Sequence, residues 1–198
     1  MKHIQKFNSF INEDVYFNVN KQKQMSILAS LGYNIIKAIG GGSYGNCFLE
    51  DNGNIVKITN DRSNAIASQS LIGKNLEYLS NVYRVIKVVD NNIALYVIEM
   101  ESCDTKNLDK NKLKNIFNLF SYKKMNVIYK IYPNSYVRDF LKIQEEAREN
   151  EIRLDLQNSG NFGLKNGHLC AFDLGINYLH SNKAKMIEQE IEVYIEKN

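Results

Sequence analysis

The sequence has no tryptophan, one proline, three cysteines and no low-complexity tract among its 198 residues. Each scarcity excludes something. The longest apolar run is six residues, Ile93 to Ile98, far short of a membrane span. The first residues, Met1-Lys2-His3-Ile4-Gln5, lack the apolar stretch of a secretory signal. A single proline and 11 glycines argue against collagen-like repeats and wholesale disorder. Cys47, Cys103 and Cys170 cannot all pair within the chain and show no Cys-x-x-Cys spacing, so a reduced, cytoplasmic protein without a zinc site is expected. Charge of either sign is also not in large excess. With 25 basic and 22 acidic residues the net charge is +3, which argues against nucleic acid as a partner on bulk charge. Arginine is scarce as well, at 5, against 27 Asn, 22 Ile and 20 Lys. That skew fits AT-rich codons, hence a low-GC bacterium or its phage (and the host cytoplasm in the latter case), and it devalues lysine clusters as functional signals.

What is present is a change of period along the chain. Phe7, Phe10, Ile11 and Val15, then Met25, Leu28 and Leu31, recur at helical spacing, with Gly32 as a stop, so residues 1–32 are read as a helical extension. From Tyr33 to Glu101 the pattern is that of strands. Residues 33–39, 46–50 and 55–58 are the first three, with Asp51-Asn52-Gly53-Asn54 as a tight turn. A helix over 61–79 and a strand pair, 82–89 and 93–98 joined by Asp90-Asn91-Asn92, complete five strands around one helix. Residues 102–198 turn helical, over 107–120, 135–150 and 183–196. They are interrupted by short strands at 162–164 and 168–172 about Asn166-Gly167. The fold class expected is α+β.

The densest chemical signal is Ile39-Gly40-Gly41-Gly42-Ser43-Tyr44-Gly45-Asn46-Cys47-Phe48, which satisfies G-x-G-x-x-G. Glycines at that spacing let a backbone approach a phosphate closely, and context decides the meaning. A dinucleotide fold needs a helix to open after the third glycine, and here a strand and hairpin follow. A Walker loop needs Gly-Lys-Ser/Thr, whereas Gly73-Lys74 is followed by Asn75. What remains is strand, glycine-rich turn, strand, then a strand carrying the lone Lys57.

At these residues the chain resembles the protein-kinase-like superfamily, in a reduced form of phage or bacterial type. The resemblance implies a two-lobed fold. Residues 33–101 would be an N-lobe with a five-stranded antiparallel sheet, and 102–198 a minimal helical C-lobe with catalytic-type loops. It implies that Gly40, Gly42, Ser43, Tyr44 and Gly45 cover the phosphates of ATP, and that Lys57, 12 residues beyond Gly45, holds them. Leu95 to Met100 looks like the hinge, with Ile98 as gatekeeper and Glu99 to Glu101, Met100 included, offering backbone groups to adenine. Asp155-Leu156-Gln157-Asn158-Ser159-Gly160-Asn161 resembles a catalytic loop, and Phe172-Asp173-Leu174-Gly175 the metal-binding triplet. Asp155 would then orient or accept the proton of the attacking hydroxyl, while Asn161 and Asp173 would hold Mg²⁺.

The chain also departs from that pattern. Arg153-Leu154 stands where His-Arg precedes the catalytic Asp, and five residues separate Asp155 from Asn161 in place of four. The helix after Lys57 lacks an obvious glutamate; spacing puts Gln69 or Ser68 at its position, and Glu77 falls too near the following strand, which leaves Asp173 as a substitute charged partner for Lys57. Only 25 residues of this sequence follow Asp173, so peptide recognition would come from residues 1–32 or the 103–132 insert. That insert carries Lys106, Lys110, Lys112, Lys114, Lys123, Lys124 and Lys130, read chiefly as a solvated face. His3, His168 and His180 form no ligand-like set. The expected function is ATP/Mg²⁺-dependent phosphotransfer to a protein hydroxyl, most simply as a minimal serine/threonine protein kinase. The alternative is a pseudokinase that binds nucleotide or a partner protein without catalysis.

Overall fold

Asn20, Asp61 and Ser181 each precede a helix, and each side chain accepts a backbone N–H from three residues on (Lys23, Asn64 and Ala184). Such caps satisfy donors the helix cannot, and each contributes about 1 kcal/mol. In the computed structural model, which describes residues 19–90, 93–121, 135–155 and 158–195, they start α1 (Lys21–Ser30), α2 (Arg62–Gln69) and the last helix. Gly32, at φ +87°, ends α1 as expected. Phe7, Phe10, Ile11 and Val15 lie outside the described residues.

A single sheet carries the N-terminal half. Its strands are β1 (Ile35–Gly42), β2 (Gly45–Glu50), β3 (Ile55–Thr59), β4 (Val82–Asp90), β5 (Ile93–Met100) and, from the far end of the chain, β10 (Glu192–Ile195). The order is β1-β2-β3-β5-β4-β10. The first five are antiparallel, as expected, but β10 adds a sixth strand parallel to β4, with Glu192 opposite Ile86 and Tyr194 opposite Val88. The sheet is therefore six-stranded and mixed, not five-stranded and antiparallel. The helix expected over 183–196 is correspondingly split. It ends at Gln189, and Ile191 is buried where the chain turns into the strand.

Alternation along these strands sorts the sheet into two faces. Phe48, Val56, Ile58, Ile86, Val88, Leu95 and Val97 pack with Ile27 and Leu28 of α1 and with Tyr33. On the other face Val85, Tyr96, Ile98 and Met100 pack on α2 and on the C-terminal half. Lys57 lies between Val56 and Ile58, so its side chain belongs to this second face.

The C-terminal half is built on α3 (Lys110–Ser121), α4 (Ser135–Glu149) and α5 (Asn182–Gln189), together with two ribbons. Among the described residues the helices number five. Phe117 of α3, Phe140 of α4 and Phe162 meet with ring centroids 4.9 to 6.4 Å apart. One ribbon pairs β7 (Phe162–Lys165) with β8 (His168–Ala171) around Asn166-Gly167, as expected. The other pairs β6 (Ile152–Leu154) with β9 (Leu174–Ile176).

The helix expected over 61–79 stops at Gln69. Gly73 takes φ +77°, and the chain runs on as a loop whose backbone is caught by Glu146 of α4. That carboxylate accepts the N–H groups of Glu77, Tyr78 and Leu79 at 2.9, 2.8 and 2.7 Å. Bonds from another element thus replace the intrahelical ones that a continued α2 would have made. No helix among the described residues is long and apolar enough to cross a membrane.

Candidate active site

The glycine stretch is mostly strand. Gly40, Gly41 and Gly42 pair with Cys47, Asn46 and Gly45, leaving Ser43 and Tyr44 as the turn, and β1 bulges at Ile39. Tyr44 sits at the tip with an exposed ring, and its carbonyl is held by Thr59 Oγ1 at 2.6 Å and Asn60 N at 3.1 Å. This fastens the turn to the end of β3. Gly45 is pressed on the same strand: a β-carbon there would stand 2.4 Å from the Ile58 carbonyl oxygen. Around Gly40 and Gly42 nothing lies within 4 Å of such a carbon.

Lys57 is paired with Cys47 on one side and Ile98 on the other, so the three share a row on the face toward the C-terminal half. Its Nζ reaches Asp173 Oδ1 at 2.7 Å across 116 positions of sequence. The lysine side chain is 12% exposed and the aspartate 41%, so the carboxylate opens outward while the ammonium is largely covered. Burial pushes the Cys47 thiol up; Lys57 opposes that shift and Asp173 adds to it, which puts all three in one electrostatic neighbourhood.

The two ribbons bring the remaining groups to the same place. Leu154 opposes Leu174, so Asp155 and Asp173 stand one register step beyond that pair, at the same end of the β6–β9 ribbon. The β7–β8 ladder continues as Phe172 N donates to the Asn161 carbonyl at 3.0 Å, which sets Asn161 beside the residue preceding Asp173. Asn161 is buried; its Nδ2 donates to Asp155 Oδ2 at 3.3 Å and the Asp155 carbonyl at 3.5 Å. The planar amide therefore directs Oδ1 away from Asp155. The turn Ser159–Asn161 is a short 3₁₀ segment capped by Asn158. Leu156 and Gln157, where the extra residue between Asp155 and Asn161 falls, lie outside the described residues.

No glutamate from α2 meets Lys57. Asn64 takes part instead, donating to Asp173 Oδ1 at 3.1 Å and to the Leu174 carbonyl at 2.6 Å. Its Oδ1 is buried and has no hydrogen-bond partner among the described residues. Gln69 lies at the far end of α2, lining another cleft, and Glu77 is in the loop held by Glu146. Sequence reasoning missed Asn64, although Ser63, Asn64 and Ser68 among Ala65, Ile66 and Ala67 carried a signal. A short helix that buries three polar side chains has to satisfy them somewhere.

At the expected hinge, Ile98 is fully buried in the core shared with the C-terminal half. The Glu99 side chain points to the opposite face, toward Tyr33 Oη at 3.5 Å and Asn54 Nδ2 at 2.8 Å. β5 is paired on both edges as far as Met100, and Glu101 N donates to the Asn81 carbonyl at 2.9 Å.

For a small hard cation the donor set is suitable. Asp173 Oδ2 has no protein partner among the described residues, and Asn161 supplies an amide oxygen. One or two such ligands, completed by phosphate oxygens and water, are what magnesium ordinarily takes from a protein. A self-sufficient cage is not built: among the described residues no group of three or more His, Cys, Asp or Glu side chains is placed to hold a metal.

Two clefts lie elsewhere. One, of about 510 Å³, runs between α4 and the far end of the β6–β9 ribbon, lined by Arg148, Arg153 and Tyr178. The second, of about 400 Å³, lies between α5 and the loop after α2. Of the predicted site residues only Gln69 lines either one. The converging side chains, not cavity size, therefore mark the candidate site. No family model matches the chain, and no curated protein matches it.

Proposed function

We propose that this chain is an ATP- and Mg²⁺-dependent phosphotransferase with a reduced, two-lobed protein-kinase-like architecture, acting on a protein hydroxyl. The observation that carries the proposal is the 2.7 Å contact between Lys57 and Asp173. It joins a lysine on β3, the second strand after the glycine turn, to an aspartate that stands across the end of the β6–β9 ribbon from Asp155, with Asn161 alongside. Four residues in the chain order of a phosphoryl-transfer site meet at one end of two ribbons, although 116 positions separate the first from the last.

The division of labour follows from charge and reach. Gly40 and Gly42, with no atom to clash, leave room for triphosphate oxygens beside the backbone. Lys57 exchanges Asp173 for phosphate oxygens when nucleotide enters. Asp155 orients the acceptor hydroxyl and takes its proton as the γ-phosphoryl passes to that oxygen and ADP leaves. Held by Asn161 and Asp173, magnesium would neutralise charge on the transferring group. Asn64 keeps Asp173 in place from behind.

A second reading, nucleotide binding without catalysis, is favoured by one observation: α2 offers Asn64 to Asp173 and no carboxylate to Lys57. Thermal melting with Mg·ATP tests both against a scaffold that binds no nucleotide. Saturation at a hundred times Kd adds about 2.7 kcal/mol, or roughly 5 to 10 °C for a chain of this size. A shift lost on Asp173→Asn supports both readings; no shift at millimolar Mg·ATP would remove them together.

A further inference from the structure

Cys103 and Cys170 have no part in the proposed phosphotransfer. Cys103 follows β5 by three residues, and its segment is fastened to β7 by reciprocal 2.8 Å bonds between Asp104 and Leu164. Cys170 is fully buried in β8, opposite Gly163 of β7. A β-carbon at Gly163 would stand 2.7 Å from the Cys103 β-carbon. Cys103 thus fills the side-chain space that Gly163 leaves open, on the ribbon face it shares with Cys170. Cross-strand β-carbons lie about 4.5 to 5.5 Å apart, so Cys103, seated beside the position opposite Cys170, is its neighbour on that face. The two thiols are close enough to act on each other, Cys170 lowering the Cys103 thiol and Cys103 raising that of Cys170.

We propose that Cys103 and Cys170 form an oxidisable dithiol, a modification site at which a hydroperoxide closes a disulfide between the segment after β5 and β8. The Cys103 thiolate attacks the peroxide, taking one oxygen to become a sulfenic acid and releasing hydroxide or alkoxide. The Cys170 sulfur then attacks the Cys103 sulfur, forming the S–S bond and expelling water. Overall, two thiols and one hydroperoxide give one disulfide, one water and one water or alcohol. The thiols lose two electrons and the peroxide O–O bond gains them.

The asymmetry of the pair suits these roles. The neighbouring Cys170 thiol, aided by Lys165 and Ser80, holds the Cys103 thiol below its ordinary range against burial and Glu101, and Cys103 is partly exposed. Cys170 is pushed up by the neighbouring Cys103 and by burial, so it stays protonated until the sulfenic acid forms. Cys47, raised by burial, is a poorer nucleophile than Cys103. The bond would close three residues before Asp173, tying the chain that leaves the sheet to the ribbon that supports the candidate site. The proposal rests on the thiols alone and stands apart from the phosphotransfer reading.

The test is treatment of the full chain with one equivalent of hydrogen peroxide, followed by digestion and non-reducing peptide mass spectrometry. The expected product is a Cys103–Cys170 cross-linked peptide lighter by two hydrogens, formed in the monomer and reversed by dithiothreitol. The oxidised protein should melt several degrees higher. Cys103→Ser abolishes the cross-link and leaves the melting temperature of the reduced protein unchanged; Cys170→Ser should trap Cys103 as a dimedone-reactive sulfenic acid. Because Cys170 is buried and its variant can fail to fold, Cys103→Ser carries the decisive comparison. A cross-link through Cys47, an intermolecular dimer, or progression of Cys103 to the sulfinic acid with Cys170 still a thiol would overturn the proposal.

Discussion

The three glycines of the G-x-G-x-x-G stretch are not equivalent, and alanine substitution separates structural from ligand-facing roles. At Gly45 a β-carbon would sit 2.4 Å from the Ile58 carbonyl oxygen and 2.9 Å from the Thr59 β-carbon. Both belong to β3, which is paired on each side and cannot retreat, so Gly45→Ala forces β2 away from it. Overpacking of this kind costs about 1 to 3 kcal/mol. For a chain of this length the middle of that range lowers the melting temperature by roughly 4 to 8 °C. At Gly40 and Gly42 nothing lies within 4 Å of the added carbon, and neither has a φ that disfavours alanine. Gly40→Ala and Gly42→Ala should therefore melt with wild type, within about 0.5 kcal/mol. Their effect should appear instead as a smaller Mg·ATP-induced shift, because the methyl group stands where phosphate oxygens approach. Gly41→Ala is intermediate: the atom met, at 2.0 Å, is Asn46 Oδ1, the end of a side chain that can swing at the expense of its 3.0 Å bond to Gln24. Differential scanning fluorimetry of the four variants, with and without Mg·ATP, reads all of this. Equal melting of Gly42→Ala and Gly45→Ala, or a wild-type melting temperature for Gly45→Ala, would refute the reasoning.

Three further outcomes follow from particular contacts. Glu146→Ala leaves three loop N–H groups without their acceptor, so it should destabilise by about 2 to 4 kcal/mol in a urea titration, with Glu146→Gln losing less. Glu50 is buried with an unpaired Oε2, and burial and then Glu99 push its carboxyl up. The folded state therefore holds that proton more tightly than the unfolded chain, and stability falls as pH rises through the carboxylate range to the raised value. Glu50→Gln should accordingly raise the melting temperature at pH 7 and converge with wild type below about pH 4. Glu188 shows the opposite sign: the Arg62 guanidinium, bonded to it at 2.6 Å, holds its carboxyl below the ordinary range. That contribution is complete above the ordinary glutamate range and is lost as pH falls toward the depressed value. Glu188→Gln should thus cost about 1 to 2 kcal/mol at pH 7, and progressively less in acid.

Local pattern exposed much of this architecture, and its failures have identifiable causes. The first five strands, the turn at Asn166-Gly167 and the helix at Ser135–Glu149 were all legible from period and turn residues. β10 was not, because Ile187, Ile191 and Ile195 recur at helical spacing while Ile191, Val193 and Ile195 also alternate. Only its pairing with β4 decides between the two periods. The end of α2 was overrun because its true stop, at Gln69, depends on a carboxylate far along the chain. At the site, Lys57, Asp155, Asn161 and Asp173 were readable as types at spacings. Asn64 was not, because an amide bonded to an aspartate 109 positions away leaves no spacing motif. Neither Gln69 nor Glu77 replaces the helix glutamate; of the partners the sequence offers Lys57, the contact runs to Asp173.

The central claim is that Lys57, Asp155, Asn161 and Asp173 constitute a phosphoryl-transfer site. Incubation of the protein with γ-³²P-labelled ATP and magnesium, with a protein acceptor mixture and with itself, tests it most directly. The account predicts labelled phosphoserine or phosphothreonine from wild type, and background label from Asp155→Asn and Asp173→Asn, each of which still melts cooperatively. Label that persists in both variants, or no transfer by a wild-type protein that Mg·ATP stabilises, would contradict it.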